Sequence, residues 1–393
     1  MRASPIGCLV LVQFVVDVIQ GGAGTSTNMN ANEVIANLAL ERLGCIKGDY
    51  GRLHPNEHVN MSQSTNDVYP TALKVATYRG VHHLIEAMDV LRVTFARKAE
   101  EFKGVIKMGR TQLQDAVPMT LGQEFGTYAV MIGEDQQRLR EAGLLIHEIN
   151  MGATAIGTGI TAHPDYARLI CQHLGDITGL PLMTAPDLVE ATQDCGAFVQ
   201  LSGVLKRVAV KILKICNNLR LLSSGPRAGH NGINLPAVQA GSSIMPGKVN
   251  PVIPEVVNQV AFEVIGNDLT VSFAAEAGQL QLNAFEPIIA HSLFKSVSHL
   301  RAAFLTLEKR CVAGITANGE RLREQVANSI GLVTALNPYI GYAAATSVAV
   351  EAHATGRGVA ELVRERGLLS EAALAEILQP DVLTQPRGLA ARE

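Results

Sequence analysis

Between Asp194 and Pro226 the residues Phe198, Leu201, Leu205, Val208, Ile212, Ile215, Leu219 and Leu222 recur at alternating spacings of three and four. That alternation keeps one face of a helix apolar turn after turn, as in a helical bundle or coiled coil. Val204, Val210 and Leu213 add apolar surface on other faces. A helix apolar on several faces is expected to be surrounded by other helices. Prolines mark where similar helices have room. None lies between Pro70 and Pro118, Pro118 and Pro164, Pro186 and Pro226, Pro254 and Pro287, Pro287 and Pro338, or Pro338 and Pro380. Proline inside a helix removes a hydrogen bond and clashes with the preceding turn, so each gap can hold a long helix.

Composition agrees with a helical core. Of 393 residues 47% are apolar, but only 4% are aromatic and none is Trp, so bulk comes from Leu, Val, Ile and Ala. Such a core suits helix-on-helix packing better than a β-sandwich. With 18% charged residues and a net charge of −3, the chain has neither the basic balance of a nucleic-acid binder nor a polybasic membrane patch. No apolar run reaches the roughly 18 residues of a membrane span. Cys8, Cys45, Cys171, Cys195, Cys216 and Cys311 are scattered, without a C-x-x-C pair or zinc spacing. They read as reduced core thiols of a cytoplasmic protein. The mostly apolar run Ile6 to Val16 resembles a signal peptide only weakly, because Gln13 interrupts it and no A-x-A-like site follows. A buried strand or the start of a core segment is the preferred reading.

The stretch Glu255 to Glu286 interleaves Asn258, Gln259, Asn267, Gln279, Gln281 and Asn283 with Val, Ile, Phe and Leu. It is expected to be one long helix whose amides are paired inside an assembly. Strand-like alternation is scarce, and there is no internal repeat or low-complexity tract. From about Gly314 shorter helical pieces are expected, the last spanning Ser370 to Leu378 with Glu371 in its first turn. They suggest a small C-terminal domain.

Four polar segments interrupt these helices. Residues 21–30, GGAGTSTNMN, combine small residues that let backbone N–H groups approach an anion with the hydroxyls of Thr25 and Ser26. No Gly-Lys-Ser/Thr follows, so this is not a Walker loop, and a capped helix start explains it equally well. Residues 62–67, SQSTND, read either as an N-cap before a helix that follows Pro70 or as neutral donors for a carboxylate. Residues 109–118, GRTQLQDAVP, read as a polar run entering a Pro-initiated helix. Residues 241–251, GSSIMPGKVNP, resist a structural explanation: a loop tip has no need of paired serines, a lysine and an asparagine held between glycines and prolines. His54 and His58 flank Pro55, and His82 adjoins His83 on a helix. None has a third ligand in view, so no metal site is expected.

The 241–251 segment resembles the defining loop of the aspartase/fumarase superfamily of lyases. GGAGTSTNMNANEVIANLALE, HPNEHVNMSQSTNDVYPT, GRTQLQDAVPMTLGQEF, LVEATQDCGAFV, GPRAGHNGINLP and GQLQLNAFEPII are similar to the aspartate ammonia-lyase family within it, in that family's order, from about Gln13 onward. Fumarases typically carry Gln after the first-motif Thr, a Ser-Ser-Asn triplet, and His at the position of Gln112. This chain has Thr25-Ser26, Ser64-Thr65-Asn66 and Gln112.

The resemblance implies a mainly α fold. Residues 63–318 would form a long central helical bundle, 319–393 a small helical C-terminal domain, and 1–62 the remnant of an N-terminal lyase domain. Family members carry several tens of residues before the QFVVDVIQ-like segment, so the expectation is a truncated gene, a misplaced start codon or a frameshift product. The implied assembly is a homotetramer whose active sites are shared between three subunits, with the amide-rich helix at its core. The implied reaction is reversible elimination of ammonia from L-aspartate to give fumarate, with no organic cofactor. In it Ser242 is the base, helped by Lys248 and loop N–H groups. Thr25, Ser64, Thr65 and Ser243 stabilise the enediolate. Lys248 and Asn250, with Thr111 of a neighbouring chain, hold the other carboxylate. Asn66 orients the amino group, and Gln112 is a further substrate-binding residue, which several aspartases share where fumarases carry His. Fumarate hydratase and an inactive descendant are the competing readings.

Overall fold

The computed structural model describes residues 12–386. Five long helices dominate the described residues: Thr65–Glu101, Leu121–Leu145, Gly196–Leu222, Val252–Glu276 and Glu286–Arg310. Strands are few. Apart from the hairpin Ile106–Thr111 with Gln114–Thr120, they are two-residue pairs. By packing, the chain divides into two compact units. The first comprises Met1–Ala87, Asp135–Val210 and Gln259–Ala302, and the second Met88–Glu134, Lys211–Asn258 and Ala303–Glu393.

In the first unit the core is built from one face of each helix segment. Phe198, Leu201, Leu205 and Val208 are buried, as the stripe predicts, along with Leu84, Leu139, Val264, Leu293 and Leu300. Charges inside this core are paired. Asp135 meets Arg207 at 2.9 Å, and Asp268 accepts from Ser202 at 2.8 Å and from Lys206 at 2.5 Å. The second unit continues the stripe through Ile212, Ile215, Leu219 and Leu222, all buried. Beside them Phe95, Phe102, Phe125 and Tyr128 pack edge to face, the Phe102 and Phe125 centroids 5.2 Å apart, a favoured aromatic arrangement. Ile106 and Met108 of the hairpin join Leu336, Val348, Leu362, Val363 and Leu374 of the short C-terminal helices in one cluster. The last expected piece forms as Glu371–Ile377, capped by the Ser370 hydroxyl accepting from the Ala373 N–H at 3.2 Å.

Several expectations need correction. The amide-rich segment is not one helix. It stops at Glu276 and restarts at Glu286, because the fully buried Asn283 turns its amide back to donate to the carbonyls of Ala274 at 3.0 Å and Ala275 at 3.1 Å. A side chain at Gly278 would meet that amide at 2.7 Å, so glycine is required where the chain turns over it. The first long helix begins at Thr65 rather than after Pro70, which sits inside it. The proline cannot donate to the carbonyl of Asn66, and the amide of Asn150 does so instead, at 2.9 Å. The 109–118 run forms a hairpin, with Pro118 in its second strand opposite Met108 where the register shifts, and the helix begins only at Leu121. The shorter helical pieces expected from about Gly314 do form, Tyr342–Thr355, Val359–Glu365 and Glu371–Ile377 among them. Residues 6–11 lie outside the described residues, and Val12 and Val15 are exposed with no strand there. The helices also present unpartnered apolar surface in the single chain, notably Phe262, Leu269 and Phe273 at 58%, 57% and 66% exposure, and Val210 is exposed as well.

Cys171, Cys195, Cys216 and Cys311 are buried free thiols and Cys45 is half-buried. Cys8 lies outside the described residues. Burial pushes the thiols of Cys195 and Cys311 up to about 12, which keeps them protonated and inert. Among the described residues no helix is long and apolar enough to cross a membrane.

Two predictions follow from these buried polar groups. Asn283→Ala leaves the Ala274 and Ala275 carbonyls without their donor, so it is expected to destabilise by about 2 kcal/mol in a denaturant titration. Glu286 is buried, and desolvation pushes its carboxyl up to about 8 despite the nearby Lys74 ammonium. In the unfolded chain that group titrates near 4.5, so the native state holds the proton more tightly in between, and stability falls as pH rises through about 8. Glu286→Gln is therefore expected to match the parent near pH ~5 and exceed it by roughly 2–4 kcal/mol near pH ~9, read from thermal midpoints across pH.

Candidate active site

In the first unit the helix that opens at Thr25 is tied to the Ser64-Thr65-Asn66 segment through a set of asparagines. The helix Thr25–Arg42 starts at Thr25, whose hydroxyl donates to the Gly22 carbonyl at 2.7 Å. Its start is set by Gly24, at φ 90°, where a Cβ would strike the Tyr69 ring at 2.7 Å. Gly24 has no side chain to cap this helix, and the first turn is served from upstream instead: the Thr25 N–H donates to the Gly22 carbonyl at 3.0 Å and the Thr27 N–H to the Gln20 amide oxygen at 3.2 Å. One turn on, the buried Asn28 donates to the Thr65 hydroxyl at 3.0 Å and to the Asn60 amide oxygen at 3.3 Å. Asn32 donates to the same Asn60 oxygen at 3.0 Å. The first-motif helix and the Ser64-Thr65-Asn66 segment are thereby locked together.

Ser64 caps the helix Thr65–Glu101, its hydroxyl accepting from the Asn66 N–H at 3.2 Å. Asp67 completes a capping box by accepting from the Ser64 N–H at 2.9 Å. Asn66 donates to the Ala155 carbonyl at 2.7 Å. With its amide N–H committed there, its oxygen is the atom suited to accept from an ammonium group. Beneath this segment, burial and the charge of Glu286 push the Tyr69 phenol up to about 12.

In the second unit Thr111 and Gln112 stand at the tip of the hairpin. Thr111 pairs with Gln114, and the turn between them is Gln112-Leu113 with φ of 54° and 64°. Two consecutive non-glycine residues with positive φ are strained, and tight hairpin turns usually use Asn-Gly or Gly there. The hairpin base is tied down. Asp115 accepts from the Ser329 hydroxyl at 2.7 Å, and Arg110 lies 3.8 Å from Asp115 and 3.5 Å from the Gln325 amide. Gln325 in turn donates to the His230 carbonyl at 3.0 Å. Burial, Arg110 and Lys107 lower the His230 imidazole below its usual range, so it is neutral near pH ~7.

Residues 241–251, also in the second unit, form a loop without helix or strand. Its order comes from its own backbone. The Ser242 N–H donates to the Lys248 carbonyl and the Lys248 N–H to the Met245 carbonyl, both at 3.1 Å. The Ser242 hydroxyl oxygen accepts from the N–H groups of Ile244 at 3.3 Å and Met245 at 3.1 Å. Ser242 is half-buried, while Ser243, Lys248 and Asn250 are exposed. Asn250 stands just before the helix Val252–Glu276.

Asn28, Asp67 and His230 carry site geometry that the motif reading passed over. The Ser64-x-x-Asp67 spacing is a capping-box signature and could have exposed Asp67. Asn28 and His230 are placed by tertiary contacts that no local spacing encodes. The His54 ring caps a short helical turn by accepting from the N–H groups of Asn56 and Glu57, and the His58 ring accepts from the His54 N–H. Among the described residues no group of three or more His, Cys, Asp or Glu side chains could hold a metal ion.

A family model described as "Lyase" matches residues 10–266, and one described as "Fumarase C C-terminus" matches residues 332–385. An aspartate ammonia-lyase of Pseudomonas aeruginosa is 63% identical over 376 residues, 95% of this chain and 79% of that protein. One of Helicobacter pylori is 60% identical, over 96% of this chain and 80% of its own length. One of Escherichia coli K12 is 56% identical, over 97% and 80%. Among solved structures, the fumarate lyase:delta crystallin from Brucella melitensis bound to cobalt superposes with a TM-score of 0.94 at 56% identity, covering 96% of this chain and 82% of that one. A class II fumarase from Schistosoma mansoni gives 0.86 at 34% identity, covering 93% and 80%. The helical architecture, the four polar segments in their order along the chain and these likenesses lead to one conclusion: the chain belongs to the aspartate ammonia-lyase family of the aspartase/fumarase superfamily of lyases.

Proposed function

We propose that the chain reversibly eliminates ammonia from L-aspartate to give fumarate, with Ser242 as the base. The observation that carries this reading is the Ser242 hydroxyl oxygen accepting two backbone N–H groups inside its own loop. A serine hydroxyl is far too weak an acid to ionise unaided near neutral pH. Two N–H groups already aimed at the oxygen favour the alkoxide, and the Lys248 ammonium in the same loop adds positive charge.

The alkoxide takes a proton from the carbon beside the β-carboxylate, becoming a hydroxyl. The electron pair left behind moves into that carboxylate as a doubly charged enediolate. Thr25, Ser64, Thr65 and Ser243 supply neutral donors that meet this charge without adding a negative one. The pair then forms the double bond as the carbon–nitrogen bond breaks. Nitrogen leaves with the bonding electrons as ammonia, and fumarate remains. Lys248, Asn250 and Thr111 hold the second carboxylate, and the Asn66 amide oxygen orients the amino group. Closure of the exposed loop, whose tip carries Ile244 and Met245, would exclude water and strengthen each of these interactions.

The donor segments are proposed to meet between chains, in a homotetramer whose active sites each draw on three subunits. The apolar stripe Phe262, Leu269 and Phe273, on one face of its helix, supports a helical subunit interface. Residues 63–318 would be the central bundle domain, with residues 319–393 as a small C-terminal domain. Inert, unpaired thiols suit a cytoplasmic enzyme. Fumarate hydration is the second reading, and the tip residue Gln112, where fumarases carry His, is what disfavours it.

Purified chain given L-aspartate is expected to raise the ultraviolet absorbance of fumarate, and chain given L-malate is not. Signal from malate alone would move the assignment to a hydratase. Silence with both, together with a non-tetrameric mass by light scattering, would point to an inactive descendant. Ser242→Ala is expected to fold normally and lose at least ~10³-fold in kcat, and near-parent turnover would remove Ser242 from its role. For the shared site, unfolding and refolding Ser242→Ala together with Thr65→Ala should restore activity that neither has alone. A mixture as dead as its components would argue for sites built within one chain.

A further inference from the structure

We infer that Asp67 is a positioning residue for this reaction: a single buried carboxylate sets the Ser64-Thr65-Asn66 donors by fastening them to the turn at residues 150–155. The inference rests on the reading of those donors as substrate ligands given above. Asp67 is fully buried, yet none of its hydrogen bonds named here comes from a cationic side chain. One oxygen accepts from the Ser64 N–H at 2.9 Å. The other accepts from the N–H groups of Gly152 at 3.2 Å and Thr154 at 2.9 Å, across more than 80 residues of sequence. Burial raises its carboxyl above the usual carboxylate range, and these N–H groups pull it back toward the charged form.

The surrounding contacts repeat the same link. The Asn150 amide reaches the Asn66 carbonyl at 2.9 Å, and the Asn66 amide reaches the Ala155 carbonyl at 2.7 Å. Val68 packs on a small cluster with Ile149, Met151 and Cys171. The turn itself is unfavourable in isolation, with Gly152 at φ 97° and Thr154, a β-branched residue, at φ 56°. Something must hold it, and the carboxylate has the geometry to do so. Asparagine would not substitute. Its single oxygen can serve one side of the link, while its N–H₂ group would face N–H donors on the other. The donors on Ser64 and Thr65 must stand ready for charge that exists only in the transition state, so small displacements should cost rate more than affinity.

The test uses the full-length chain and two measurements. Asp67→Asn is expected to lower kcat/KM for L-aspartate about 30–100-fold, mostly through kcat, with the oligomeric mass unchanged. Hydrogen exchange is expected to speed up in both 62–67 and 150–156, and nowhere else. Thr71→Val, which removes a buried hydroxyl without a partner one turn along the same helix, serves as the control and should keep the parent kcat, KM and exchange. If Asp67→Asn does not fold, Asp67→Glu, which keeps the charge but adds a methylene, is read in the same way. Parent-like exchange in both segments would overturn the fastening whether or not the chain turns over aspartate. Faster exchange with unchanged kcat and KM would overturn the positioning role. A parent chain without aspartate turnover would instead sink the reading of the reaction, and exchange alone would then decide the fastening.

Discussion

Buried helix faces fix the long helices in place, and several of the donor residues stand at or near helix beginnings. Thr25 opens the helix Thr25–Arg42, Ser64 caps Thr65–Glu101, and Asn250 stands two residues before Val252–Glu276. The first turn of a helix carries backbone N–H groups without intrahelical partners and the positive end of the helix dipole.

Polar groups inside the molecule are held mainly by neutral partners or by a single counter-charge. Lys74 donates to the Glu148 carbonyl and Lys98 to the Ile315 carbonyl, each at 2.7 Å. Asparagines do much of the linking around the site, as Asn28, Asn32 and Asn60 do beside Thr65. An amide both donates and accepts, so a chain of amides fixes geometry without adding net charge where a carboxylate substrate must be welcome. Asp67 is the exception, and its charge is spent on backbone N–H groups rather than presented to a ligand.

Rigidity and freedom are divided among the segments. The Ser64-Thr65-Asn66 donors are clamped from several directions, and the hairpin tip at Gln112 is strained but braced at its base through Asp115 and Ser329. The 241–251 loop is held by short-range bonds, among them the two N–H groups on the Ser242 hydroxyl, and exposes Ile244 and Met245. In the proposed reaction, donors that meet developing charge gain from being fixed, whereas a loop that carries the base and admits substrate gains from being movable.

Periodicity and motif identity determined much of this from the sequence. The a/d stripe became a buried helix face residue by residue, and Ser370 capped its helix as its spacing implied. Those features are local, set by side chains a few positions apart. The break at Asn283, the helix start before Pro70 and the hairpin at Thr111 were not legible. Each depends on a partner distant in the fold or on a turn that needs tertiary support: a side-chain amide folded back on a helix end, Asn150 replacing a lost backbone donor, and strands held by Ser329. The chemistry of the donors belongs to the sequence. Their positions belong to the tertiary structure, because buried polar groups must find partners wherever the packed helices bring them.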